Sequence, residues 1–237
     1  MEHLQQISTD YFWTDLILNK SSMQMLAEVK QCTEKGDACR ALFYGPAGTG
    51  KTLAAALLGK ETRKEVKRID LSNILSKYIG ETEKNLELLF SGAEDKSWIL
   101  FFDEADALFG KRTNVKDSHD RYATQEIPYV LERIEKYKGL VILATRSKSN
   151  IDDAFFRRLQ YVVHFPLPEP PERLRLWEKA LTKNNLSTAS IDLSQIADKF
   201  RLSGAAIMNI VQKLSEENAG KTPGTGNDSV IDQLKNL

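Results

Sequence analysis

The sequence predicts an α/β fold: a five-stranded parallel sheet with helices on both faces, followed by a small all-helical domain. Three observations predict it. Short apolar runs alternate with helix-period segments through the first two thirds of the chain, the pattern of a parallel sheet whose crossovers are helices. Residues 98–102 are apolar throughout, as a strand covered on both faces must be. After Pro168-Glu169-Pro170-Pro171 the helix-period segments continue with no strand between them.

In chain order, residues 41–45 form the first strand and the Ala/Leu-rich residues 51–60 a helix. Residues 66–71 are the second strand, with charges on Lys67 and Arg68. Residues 82–95 make an amphipathic helix with Leu86, Leu89 and Phe90 on one face. The third strand is 98–102. Residues 120–137 read as a long helix in which Pro128 predicts a kink or a break. The fourth strand is 140–145. The fifth, 161–165, is closed by Pro166 and Pro168. Helices over 173–181, 193–200 and 205–215 complete the plan. The expected domains are 1–168 (α/β), 169–218 (helical) and a Gly/Lys/Thr/Pro/Asn/Asp-rich tail, 219–237.

The 237 residues suit one large domain and one small one. Lys plus Arg and Asp plus Glu each number 33, so the formal net charge is zero, which argues against a general nucleic-acid binder. Glu2, His3, Gln5 and Gln6 interrupt any signal-peptide run, and no stretch approaches the ~20 apolar residues of a membrane helix. A cytoplasmic protein with no membrane partner is expected. Cys32 and Cys39 flank a polar segment with no His or Cys at metal-ligand spacing, so reduced thiols are expected. His3, His119 and His164 are scattered, which speaks against a metal site built from them.

The chemistry is carried by Gly45-Pro46-Ala47-Gly48-Thr49-Gly50-Lys51-Thr52, directly after the apolar run 41–44. A strand entering a glycine-rich loop that ends in Lys-Thr is the phosphate-binding pattern of P-loop NTPases. Glycine lets the backbone curl around an anion with N–H groups inward. The helix beginning near Lys51 adds the positive end of its dipole, and Leu53 in its first turn is expected among the nucleotide-binding residues. Lys51 would reach the β- and γ-phosphates, and Thr52 would hold Mg²⁺. Gly220-Lys221-Thr222 repeats the last triplet, but no apolar strand precedes it and Ser215 stands where the first glycine belongs, so it is no second site.

The second half is Leu100-Phe101-Phe102-Asp103-Glu104-Ala105-Asp106, an apolar strand ending in acids. Asp103 would hold Mg²⁺ through water and Glu104 would orient or deprotonate the attacking water. Carboxylates at a buried strand's end are costly without a cation.

These two stretches resemble Walker A and Walker B of the AAA+ ATPase superfamily, and more narrowly the AAA branch that contains katanin, spastin and bacterial stand-alone AAA proteins. The resemblance runs over about residues 10–214. It implies a five-stranded sheet with a helical lid, ATP or ADP with Mg²⁺ as cofactors, and assembly into a ring of identical subunits, usually a hexamer, acting on a protein substrate or adaptor. Lys77-Tyr78-Ile79-Gly80 resembles the first pore loop, which would grip a polypeptide. Loop 109–120, with Lys111 and Arg112, stands where a second would be. Asp152-Asp153-Ala154-Phe155-Phe156-Arg157-Arg158 resembles the arginine-finger segment, from which Arg157 and Arg158 would reach a neighbour's γ-phosphate. Ser203-Gly204-Ala205 resembles the lid motif, which places Gly204 and Ala205 near the nucleotide. Residues 12–19 resemble the entry segment over adenine, with Ile17 and Leu18 as its contacts or as core packing.

The departures are Ala206, where the family has an acid, and Arg146. In Ala144-Thr145-Arg146 the family's water-positioning Asn is replaced by a longer, permanently charged group, which predicts slow hydrolysis or tight nucleotide retention. Two other readings stand beside the protein remodeller: a slow-hydrolysing, nucleotide-gated assembly factor, as of a phage-tail-like injection system, and a DNA-acting helicase loader.

Overall fold

The computed structural model describes residues 4–70, 81–108, 118–148, 151, 153–186 and 192–218. The expected first pore loop (77–80), most of loop 109–120 and the tail 219–237 lie outside the described residues. The chain divides into two compact units. One comprises Met1–Trp13, Lys20–Gly45 and Lys51–Phe165; the other comprises Thr14–Asn19, Pro46–Gly50 and the chain from Pro166.

The first unit holds strands β1 (Leu4–Ile7), β2 (Cys39–Tyr44), β3 (Val66–Ile69), β4 (Ile99–Phe102), β5 (Leu140–Thr145) and β6 (Tyr161–His164). Its helices are α1 (Lys20–Lys35), α2 (Lys51–Thr62), α3 (Glu81–Lys96), α4 (Ser118–Lys136) and the single turn α5 (Asp153–Phe156). One sheet takes the order β1-β3-β4-β5-β2-β6. Its last five strands are parallel, as expected. The sheet has six strands rather than five, because Leu4–Ile7 pairs antiparallel with β3, Leu4 opposite Ile69 and Ile7 opposite Val66. That strand was illegible because Gln5 and Gln6 break the apolar alternation.

Side-chain alternation divides each strand between two faces. Leu42, Leu100, Phe102, Val141 and Leu143 form one core with Leu86, Phe90 and Ala93 of α3 and Val130 and Ile134 of α4. Ala41, Phe43, Ile99, Phe101 and Ile142, one residue out of phase, are equally buried. Each Leu or Phe removed from water here contributes about 1.5–3 kcal/mol. Of the kink or break expected at Pro128, the break does not occur: helix α4 runs on through it, so its loss of one amide donor is tolerated within a continuous helix. Helix α1, absent from the sequence reading, buries Ser22, Leu26, Val29 and Thr33. Two polar residues in that stripe disguise its period.

The expectation of free thiols is overturned. Cys32 and Cys39 form a disulfide with Cα atoms 6.4 Å apart. The chain reverses at once after α1: Gly36 has φ +78°, and Asp37 N–H donates to the Cys32 carbonyl at 3.3 Å. That turn brings the last turn of α1 back beside the first residue of β2, a proximity that a spacing of seven does not disclose.

One buried charge ties the unit together away from the strands' C-terminal ends. The Arg40 guanidinium, 5% exposed, donates to the carbonyls of Cys39 (2.9 Å), Gly139 (3.0 Å), Glu135 (2.7 Å) and Tyr137. It thereby caps the last carbonyls of α4 and the turn into β5.

In the second unit, α6 (Pro170–Lys183), α7 (Leu193–Lys199) and α8 (Gly204–Asn218) enclose Trp177, Leu181, Ile196, Ile207, Val211 and Leu214. Prolines occupy the first turn of α6, where no amide is needed, and Glu169 N–H donates to Glu172 Oε2 at 2.9 Å. Asp192 caps α7 by accepting from Gln195 N–H at 3.0 Å. The buried Arg173 donates from Nε to the Ala197 carbonyl at 2.6 Å and from Nη1 to that of Pro168.

Candidate functional site

Register alone gathers the chemical residues. Tyr44 lies opposite Thr145 and His164, Phe102 opposite Leu143, and Ile69 opposite Phe102. The parallel strands therefore end together, and the next residues along the chain are Gly45, Asp103 and Arg146. The C-terminal ends of parallel strands are where such sheets bind ligands.

The loop after β2 is built for glycine. Gly45 has φ +148°, and a Cβ on it would stand 2.0 Å from the Phe165 carbonyl oxygen, so no other residue fits without moving β6. Its N–H donates to the Thr145 carbonyl at 3.2 Å. Helix α2 begins at Lys51, as the sequence predicts, with Thr52 exposed and Leu53 half-buried. The half-buried Lys51 ammonium donates to the Gly45 carbonyl at 2.6 Å. Burial holds its pKa below the usual lysine value; Asp103 opposes that shift, Arg146 adds to it and Asp106 opposes it.

Within the second unit, residues Pro46–Gly50 lie against the start of α8. Thr49 Oγ1 donates to the Pro46 carbonyl at 2.9 Å. Ala205 N–H donates to the Gly48 carbonyl at 3.0 Å. A Cβ on Gly48 would come within 2.6 Å of Ser203 Oγ and 2.9 Å of the Ala205 Cβ. Gly204 and Ala205, expected near the nucleotide, are thus brought to the loop's backbone. Leu16 and Ile17 are buried and Leu18 half-buried. Leu16 is the nearest atom to an imagined Cβ on Gly50, at 3.3 Å, so the entry segment packs.

At the end of β4, Asp103 accepts from its neighbour Glu104 N–H at 3.0 Å through Oδ1, and Arg68 Nη2 lies 2.8 Å from Oδ2. Glu104 has φ +51°, a conformation that costs a non-glycine residue of order 1 kcal/mol and is held where the surroundings dictate it. Arg146 Nη2 stands 3.6 Å from Glu104 Oε1. Both side chains are more than 70% exposed, so this pair is worth no more than about 1 kcal/mol and can exchange readily. Thr145 Oγ1 donates to Asp106 Oδ1 at 2.6 Å, joining the two strand exits.

The two candidate finger arginines part company. Both follow α5 and both are exposed, but Arg158 Nη1 pairs with Glu135 of α4. Among residues that the sequence reading did not assign, Arg68, Asp106 and Thr145 touch or position the acidic cluster. The available signals were a charge inside a four-residue strand for Arg68 and the final acid of the Asp-Glu-Ala-Asp run for Asp106.

The donors suit a magnesium nucleotide. Within the first unit the Lys51 ammonium stands at the start of α2, Asp103 opposes the lowering of its pKa, and the Thr52 hydroxyl and Asp103 carboxylate are the hard oxygens magnesium prefers.

Residues 41–167 match the family described as "ATPase family associated with various cellular activities (AAA)". Residues 169–236 match the "Contractile injection system ATPase helical domain". The chain is 32% identical over 181 residues to Cell division protein C of Sulfolobus acidocaldarius, covering 72% of this chain and 48% of that protein. It is 30% identical over 208 residues to the Vesicular-fusion protein SEC18 of Saccharomyces cerevisiae, covering 78% and 27%. It therefore spans about half or less of the length of these relatives. The FIGL-1 AAA domain in complex with ADP superposes with a TM-score of 0.70 at 24% identity, over 92% of this chain and 77% of that one, a likeness of fold.

Proposed function

We propose, starting from the fact that this chain belongs to the AAA family of ATPases, that it hydrolyses Mg·ATP at the interfaces of a homo-oligomeric ring, a hexamer, and uses the cycle to remodel or thread a protein. The observation that carries this reading is the meeting of Gly45, Lys51, Asp103, Glu104 and Arg146 at one edge of the sheet. The backbone of residues 45–51 and the Lys51 ammonium would hold the phosphates, and Thr52 and Asp103 the magnesium. When bound, the nucleotide supplies the phosphoryl group that water attacks. Glu104 orients that water and takes its proton; its left-handed backbone fixes where the carboxylate starts. Arg157 reaches the γ-phosphate of an adjacent copy, and Arg158, anchored by Glu135, sets the direction of that turn. The expected pore residues Lys77, Tyr78, Ile79 and Gly80 would contact the polypeptide. Action in the cytoplasm, where ATP is supplied, belongs to the same proposal.

Sites completed by a neighbour make turnover depend on assembly. The ATPase rate per subunit is expected to climb with protein concentration, in step with a rise in mass measured by light scattering in the presence of ATP. A rate per subunit that stays flat across the assembly range contradicts shared sites.

A second reading has its own support. The helical-domain match points to work with a contractile injection machine, as a slow nucleotide-gated assembly factor. Arg146 supports the slowness, because its guanidinium lies beside the Glu104 carboxylate that must be free to accept a proton. Arg146→Asn is expected to raise the single-turnover hydrolysis rate up to about fivefold, equivalent to ~1 kcal/mol of barrier. An unchanged rate would remove the support for slow hydrolysis.

A further inference from the structure

We propose that Arg68 is a positioning residue that serves as a stand-in cation for Asp103 and competes with magnesium for that carboxylate. The inference rests on the reading of Asp103 as a magnesium holder given above.

Arg68 is placed by register. In β3 the end residues Val66 and Ile69 are buried, and Arg68 lies opposite Phe101 of β4, two residues before Asp103. The other central residue of the strand has its charge engaged elsewhere: Lys67 pairs with Glu65 at 2.8 Å and lies over the Trp98 ring at 4.7 Å. Arg68 reaches forward instead, to 2.8 Å from Asp103 Oδ2. The other oxygen, Oδ1, accepts from Glu104 N–H. Both oxygens of Asp103 are therefore committed within the chain itself. The side chain of Asp103 is 23% exposed, so screening by water is incomplete.

The physical consequence has one sign. Without metal, the guanidinium compensates a carboxylate that otherwise shares the Lys51 ammonium with Asp106. When a divalent cation arrives, the same guanidinium repels it and must be drawn aside. Arg68 thus keeps the strand exit in order between turnovers and raises the magnesium concentration the site requires.

The test uses a fluorescent ADP analogue, so that no hydrolysis is needed. Protein freed of metal with EDTA is loaded with mant-ADP, and MgCl2 is titrated while analogue release is followed. Arg68→Gln is expected to lower the magnesium concentration at half-effect about fivefold, the removal of one partly screened like charge. Metal-free mant-ADP affinity should stay within about twofold. Arg68→Lys, which keeps the charge, should stay close to the unsubstituted chain. A midpoint that is unmoved or raised in Arg68→Gln overturns the proposal. So does a loss of metal-free binding in a variant whose circular dichroism is intact, because a group that only opposes the metal leaves the nucleotide alone. Arg68→Met replaces Arg68→Gln should the latter unfold. Failure of the unsubstituted chain to bind mant-ADP at all would instead remove the nucleotide site itself.

Discussion

Glu104→Gln is expected to lower ATP turnover at least about a hundredfold while leaving nucleotide affinity within about twofold. The amide keeps the size and hydrogen-bonding reach of the carboxylate but cannot accept a proton from water. Nothing in the phosphate loop depends on it: Lys51 bonds to the Gly45 carbonyl, and Asp103 is held by the Glu104 main chain and by Arg68. The substitution also dissolves the weak pair with Arg146, which frees that guanidinium. Turnover under single-turnover conditions, set beside equilibrium binding of a fluorescent nucleotide, separates the two effects. Near-normal turnover with binding intact would mean that the base is elsewhere and that the assignment of the β4 exit is wrong.

Arg40→Met is expected to cost about 3 kcal/mol of stability and to lower the melting temperature by roughly 6–12 °C. The methionine fills much of the space but takes the guanidinium donors from the buried carbonyls of Cys39, Glu135, Tyr137 and Gly139, of which Gly139 still accepts from Cys39 N–H at 3.2 Å. Water has little access to replace them, since Arg40 is 5% exposed. Burial lowers the Arg40 pKa, with Glu135 and Tyr137 acting in the opposite sense, and the desolvated charge is held by the bonds of its two Nη groups, Nε having no partner. Because Arg40 lies at the start of β2 and Gly45 at its other end, nucleotide affinity at low temperature should survive. Urea unfolding followed by circular dichroism measures the effect. A midpoint equal to that of the parent chain would show that the guanidinium contributes nothing net.

What could be read from the residues depended on how local the determinant was. The loop after β2 and the acidic run after β4 are contiguous in sequence, and their types are dictated by anion and cation chemistry, so both could be located before any coordinates. Strands β4 and β5 were legible for a related reason, since strands buried on both faces read as unbroken apolar runs, and β3 was legible despite the charges at its centre. Non-local determinants were not. Strand β1 exists because β3 offers it an edge, and Gln5 and Gln6 carry no period that announces this. Helix α1 hides its stripe behind Ser22 and Thr33. Arg68 reads in the sequence as one of two charges in the second strand, and only register sets it beside Asp103. The pairing of Arg158 with Glu135, which separates two adjacent arginines that look equivalent in sequence, needed α4 and the α5 turn to be placed together.

The cross-link between the end of α1 and the start of β2 engages both cysteines in the chain. Under non-reducing conditions the molecule offers no native sulfhydryl to an alkylating dye. A single cysteine introduced at an exposed position, such as Leu88 on α3, becomes a unique attachment point for a fluorophore. Distance measurements in solution could then be made without first deleting any native residue.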